Sequence, residues 1–167
     1  MTSRPDLAIA TVLGSCVSAC ICDPNAAIGG LNHFLLPQSN AAAGTGTRYG
    51  VHAMEMLINE ILKNGGDRGR LQAKLFGGGN ILSLSGANPI GEKNQAFALE
   101  FLRREGIPVV ASDLGGTSSR RVYFFPAANK VLVAVPDQKE EAKVRREEAD
   151  LGQAPVVVED TGDVDFF

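Results

Sequence analysis

Seven short apolar runs, 7–13, 17–22, 31–37, 71–76, 108–112, 122–126 and 130–136, each end at a glycine, a proline or an aspartate. Runs that brief, bounded by such residues, suit strands and are too short for helices. Only two stretches among them carry helical spacing. Met54, Leu57, Ile58, Ile61 and Leu62 recur on one side, with Glu55, Asn59, Glu60 and Lys63 on the other, the pattern of a helix with one buried face. Gly65-Gly66 ends that pattern. Residues 92–105, EKNQAFALEFLRRE, repeat it and close at Gly106 and Pro108, which stop a helix. Three strands, a helix, a strand, a helix and three strands make an α+β chain rather than a regular βαβ series.

Residues 7–37 read as a strand meander that turns at Asp23-Pro24 and Gly29-Gly30. Residues 38–47 read as a surface loop, with Thr47 placed to cap the first helix. PVVAS, 108–112, has the composition of a buried strand. Residues 113–120 are predicted as a loop, and 122–126 with 130–136 as a hairpin joined through 127–129. After Pro136 the sequence turns charged, with almost no apolar face. That predicts a domain over 1–136 and a flexible, partly helical tail over 137–167.

The chain has 167 residues and a formal charge of −3, with its basic residues scattered. Neither a nucleic-acid groove nor a membrane insertion is expected from that. The first residues, MTSRPDLAIATVLGSC, hold no signal peptide, so a cytoplasmic protein with reduced thiols is expected.

All three cysteines lie in LGSCVSACICDP, residues 13–24. A metal site of Cys16, Cys20, Cys22 and His33 fits poorly. Along a strand, at roughly 3.3 Å per residue, Cys16 and Cys22 stand up to about 20 Å apart. VSACIC holds no glycine or proline to fold them together, so no metal is expected. A cysteine nucleophile working with an imidazole needs no cofactor. Cys20 and Cys22 as i, i+2 neighbours on a strand lie too far apart for a disulfide. Both suit core packing, where free cysteine is common.

Cys16 follows Gly14-Ser15 at the break between two strands. Gly14 lets the backbone approach a substrate, and the turn at Ser15 can point successive N–H groups at an oxyanion. His33, on the third strand, is the histidine an antiparallel neighbour would bring beside Cys16. An imidazole there draws a thiol from about 8.5 toward a range of roughly 3.5–7.5. His52, on the first helix, reads as a surface residue. Gly78, in the GGGN run 77–80, either lets a substrate approach closely or makes a tight turn. From spacing alone the Cys16–His33 pair stays open between a nucleophile with its base and a packed thiol with an incidental histidine.

LGSCVSACICDP, GGLNHFLLP, RYGVHAMEMLI, AKLFGGGN, IGEKNQAFALEFLRREGIPVVASDLGG and RRVYFFP resemble, in that order, the CheD family of bacterial chemoreceptor glutamine deamidases. The resemblance covers residues 7–135. It implies a fold of sandwiched β-sheets flanked by helices, similar to the catalytic domains of Rho-deamidating toxins. It implies hydrolysis of glutamine side-chain amides on chemoreceptor cytoplasmic helices through a cysteine thioester, and in some members hydrolysis of receptor glutamate methyl esters. Cys16 then matches the nucleophile, His33 the general base and acid, and Thr11 the third catalytic position. A one-residue slip of the first strand would turn Thr11 away. The resemblance also implies a CheC-type phosphatase as a second partner in some bacteria, and hence an alternative reading as a non-catalytic adaptor. A cysteine protease shares the nucleophile logic and differs in the carbonyl attacked. Three departures stand out: the family's initial strand with a Gly-Glu pair has no counterpart in this sequence, which implies either a short sheet edge or a truncated start; the loop at 116–120 reads GTSSR, with one glycine fewer than is usual; and the tail after Pro136 has no counterpart in the family pattern.

Overall fold

A computed structural model describes residues 7–36, 45–81 and 90–151. Seven strands and three helices follow in the order β1 (Ile9–Leu13), β2 (Val17–Asp23), β3 (Ile28–Phe34), α1 (Thr45–Lys63), β4 (Gln72–Gly77), α2 (Ile90–Arg104), β5 (Val109–Leu114), β6 (Arg120–Phe125), β7 (Lys130–Ala134) and α3 (Gln138–Leu151). They form two sheets. One has the order β1-β6-β7, the other β3-β2-β4-β5. All pairings are antiparallel except β4 with β5, whose parallel connection needs a crossover that α2 supplies. This is the α+β fold expected from the order of periodicities.

Two cores hold the layers together. Val17, Ala19 and Ile21 of β2 face α1 and α2, packing with Met54, Ile58, Ile61, Ala98 and Leu102. Cys20 and Cys22, from the alternate face of the same strand, pack between the sheets with Ile9, Leu13, Leu31, Phe76, Val122 and Phe124. All seven residues of β2 are therefore buried. A strand sandwiched on both faces reads as continuously apolar or small rather than alternating. Each fully buried Leu or Ile here contributes roughly 1.5–3 kcal/mol. The helix ends follow the glycine signals. Gly106 has φ +69°, and Ile107 N–H reaches back to the Leu102 carbonyl at 2.9 Å, which satisfies a carbonyl the helix leaves open.

Several expectations change. Residues 7–37 are not a single meander. β1 leaves for the other sheet and pairs with β6, Thr11 opposite Val122, so 14–16 carry the chain from one sheet to the next. Local sequence cannot choose between a near and a distant partner of equal apolarity. The strand at 109–114 is exposed along most of its length, because it is an edge strand with β4 as its one neighbour among the described residues. The segment 113–120 gives its first two residues to β5 and its last to β6. α1 begins at Thr45, so Thr47 lies inside its first turn and does not cap it. The rest of the expected loop, 38–44, lies outside the described residues.

Candidate active site

Thr11 stands in mid-β1, on the side of Ile9 and Leu13, which point between the sheets. His33 lies near the end of β3, directly opposite Ser18 of β2. Residues directly opposite in a ladder share a face, so His33 joins Cys20 and Leu31 on the inter-sheet side. There Thr11 Oγ1 and His33 Nδ1 meet at 3.0 Å. The hydrogen bond ties one sheet to the other. It exists because β1 pairs in the register that puts Thr11 with buried Val122; a slip of one residue would have sent Thr11 outward.

Cys16 ends the bend that precedes β2 and packs, half-buried, against that same inter-sheet cluster. It is in phase with Ser18. One further step of the β2–β3 ladder sets it diagonal to His33, a separation of roughly 7–8 Å between backbones and less between side chains. The three residues thus come from three segments and share one inter-sheet edge.

The His33 side chain is exposed to solvent at this edge. Desolvation by the surrounding protein pushes His33 below its ordinary value, opposed by the Glu147 carboxylate of α3. Neutral imidazole is favoured, the form that can accept a proton. The other two thiols differ. Burial drives Cys20 far up and Cys22 to about 11, with Lys74 partly offsetting both. Neither forms a thiolate at neutral pH. Among the described residues, no three His, Cys, Asp or Glu side chains gather closely enough to hold a metal ion.

The turn at 14–16 is pinned from below at three successive carbonyls. Gly79 N–H donates to the Gly14 carbonyl at 2.7 Å, and Gly78 N–H to the Cys16 carbonyl at 2.6 Å. Asn94 Nδ2 donates to the Ser15 carbonyl at 2.9 Å. Glycine is required in the lower loop. Gly77 has φ +100°, and a Cβ there would stand 2.2 Å from the Cys16 carbonyl oxygen. Gly78 is buried, and its own carbonyl accepts from Gln95 Nε2 at 2.7 Å. The close approach made by this glycine run is to the chain's own Cys16 turn and to α2.

Asn94, Gln95 and Glu147 were not among the residues singled out from sequence. A signal for Asn94 was present. It falls at i−4, i−7 and i−8 from Ala98, Phe101 and Leu102, on the apolar stripe of α2, and is fully buried. A polar residue at a core position calls for a partner.

Comparison with known proteins agrees with this architecture. A family model described as CheD chemotactic sensory transduction matches residues 35–135. A protein of Xanthomonas campestris pv. campestris (strain B100) named "Probable chemoreceptor glutamine deamidase CheD" is 46% identical over 166 residues, covering 97% of this chain and 82% of that relative. One of the same name from Caulobacter vibrioides (strain NA1000 / CB15N) is 47% identical over 172 residues, covering 100% of this chain and 88% of its own. A third, from Stenotrophomonas maltophilia (strain K279a), is 46% identical over 164 residues, with 96% and 81% covered. The family model begins after Thr11, Cys16 and His33, and the pairwise matches run almost end to end. On the extent of those matches, this chain belongs to the CheD family.

Proposed function

We propose that this protein deamidates glutamine side chains on chemoreceptors, with Cys16 as nucleophile, His33 as general base and acid, and Thr11 as the group that orients His33. The observation that carries this reading is the 3.0 Å contact between Thr11 Oγ1 and His33 Nδ1, on the inter-sheet edge where Cys16 also lies. The names of the relatives supply the substrate class.

With Nδ1–H donated to the Thr11 hydroxyl, the lone pair of Nε2 is free to take a proton. His33 accepts the Cys16 thiol proton as sulfur attacks the amide carbonyl carbon, and the carbonyl π pair moves onto oxygen. Backbone N–H groups around Ser15 and Cys16 hold that oxyanion; one such donor is typically worth about 2.7–4 kcal/mol. The oxyanion re-forms the carbonyl, the C–N bond breaks, and His33 gives its proton to the departing nitrogen, which leaves as ammonia. Water then attacks the thioester with His33 as base, and the returning proton restores the Cys16 thiol as glutamate departs. A glutamate methyl ester enters the same cycle with methanol as leaving group. No helix among the described residues is long and apolar enough to cross a membrane. We place the activity in the cytoplasm because the substrate glutamines implied by the family resemblance lie on chemoreceptor cytoplasmic helices.

Intact-mass analysis of a receptor cytoplasmic fragment tests the reading. Each deamidation adds about one dalton and releases one ammonia, while the peptide chain stays whole. The wild-type chain is expected to produce this change, and Cys16→Ala to lose it by at least about 10³-fold. Cleaved fragments would indicate a protease instead. Full activity in Cys16→Ala, with loss in Cys20→Ala, would reverse the assignment of the nucleophile.

A further inference from the structure

Asn94 joins the two segments that carry the site. Its Nδ2 donates to the Ser15 carbonyl at 2.9 Å, and its Oδ1 accepts from Leu36 N–H at 2.9 Å. Ser15 is the residue before Cys16; Leu36 lies three residues after His33, just beyond the end of β3. Those contacts span 79 and 58 residues of sequence. The side chain is wholly buried. Which end of the amide faces which partner is settled by chemistry, since a carbonyl only accepts and a backbone N–H only donates.

In a trans peptide the carbonyl and the N–H lie in one plane and point in opposite directions across the C–N bond, and no peptide bond in the described chain is cis. A Ser15 carbonyl drawn down to α2 therefore aims Cys16 N–H the other way, away from α2. The flanking carbonyls of Gly14 and Cys16 are held by Gly79 and Gly78, so the Ser15–Cys16 peptide has little freedom to flip while Asn94 grips it. We infer that Asn94 is a positioning residue for the deamidation proposed above: it fixes the orientation of the Ser15–Cys16 peptide, and with it the donor offered to the oxyanion. The inference rests on that proposed reaction. Asparagine suits the task because it offers a donor and an acceptor on one short side chain; aspartate keeps only the acceptor and leucine keeps neither.

Asn94→Asp separates the two bonds. It retains an acceptor for Leu36 N–H and sets a carboxylate oxygen against the Ser15 carbonyl. Ammonia release from a receptor fragment and alkylation of Cys16 by iodoacetamide are measured side by side. Alkylation displaces iodide at a methylene carbon and uses no oxyanion donor. The expected result is a kcat lower by about 100-fold, a KM within about twofold, and an alkylation rate and pH profile within about threefold of wild type. Loss of alkylation in step with kcat would overturn the inference in favour of a merely structural role, and so would an unchanged kcat. If Asn94→Asp does not melt cooperatively, Asn94→Ser and Asn94→Ala take its place. The serine hydroxyl can still donate, so its kcat is expected to exceed that of the alanine variant by at least about fivefold. Equal rates would overturn the inference. If wild type releases no Cys16-dependent ammonia, the deamidase reading falls and takes this inference with it. Normal release with an unimpaired Asn94→Asp removes only the inference.

Discussion

Thr11→Val keeps the shape of a β-branched side chain and deletes the hydroxyl that meets His33 Nδ1. The contact lies at a solvent-reached edge, so thermal stability should change by less than about 1 kcal/mol. Turnover should fall by about 10–100-fold, the usual cost of losing a group that sets an imidazole's tautomer and direction. Ammonia release and a melting curve on one preparation check both halves. The pH profile belongs to the same residue pair. Desolvation holds His33 below about 6.5, its ordinary value, so the base is neutral, and activity survives, into mildly acid solution. Glu147 acts the other way by favouring the cation. Glu147→Gln should therefore move the acid limb of kcat/KM further down in pH; a limb moving upward would contradict that electrostatic assignment.

Among the elements, α3 departs most from what its sequence suggests. Its residues are mostly charged, yet Val144 is buried, Glu140 pairs with Arg121 of β6, and Glu147 acts on His33. We propose that 1–136 is the catalytic unit and 137–167 an appended tail whose first part docks as α3. Val144→Asp should undock it, at a cost of about 1–2 kcal/mol. Limited proteolysis should then cut within 138–151 faster than in wild type while a fragment ending near 136 persists. Simultaneous loss of the whole chain would mean that no such boundary exists. Much at this scale was legible. The seven strands and both amphipathic helices end within a few residues of where local periodicity and glycine or proline stops put them. The faces of β1 and β5 were not legible. Local pattern puts β1 beside β2 and buries β5; both placements turn on a partner supplied by distant chain.

For the molecule as a whole, Asp23 is a fastening outside the two cores. Its buried carboxylate receives Arg70 through two nitrogens, together with the N–H groups of Asn25, Ala26 and Asp67. It thereby joins the β2–β3 turn to the segment that leads into β4. The Arg70 guanidinium, first among these causes, holds the carboxyl well below the usual carboxylate range. A depressed folded value contributes stability above about pH 4 that is lost as pH falls through the folded value. Asp23→Asn should thus cost about 2–3 kcal/mol at neutral pH and flatten the acid side of the stability curve, which urea unfolding from pH 7 to 2 would reveal. The sequence alone determined the segment types, the burial of Cys20 and Cys22, and Cys16 with His33 as the pair to examine, since these depend on short-range pattern and on motif. Only the tertiary structure decided that the first strand changes sheets, that Thr11 faces His33, and that Asn94 grips the turn before Cys16. Those relations join residues 22 and 79 positions apart, and they come into being only when strands from distant parts of the chain choose their partners and register.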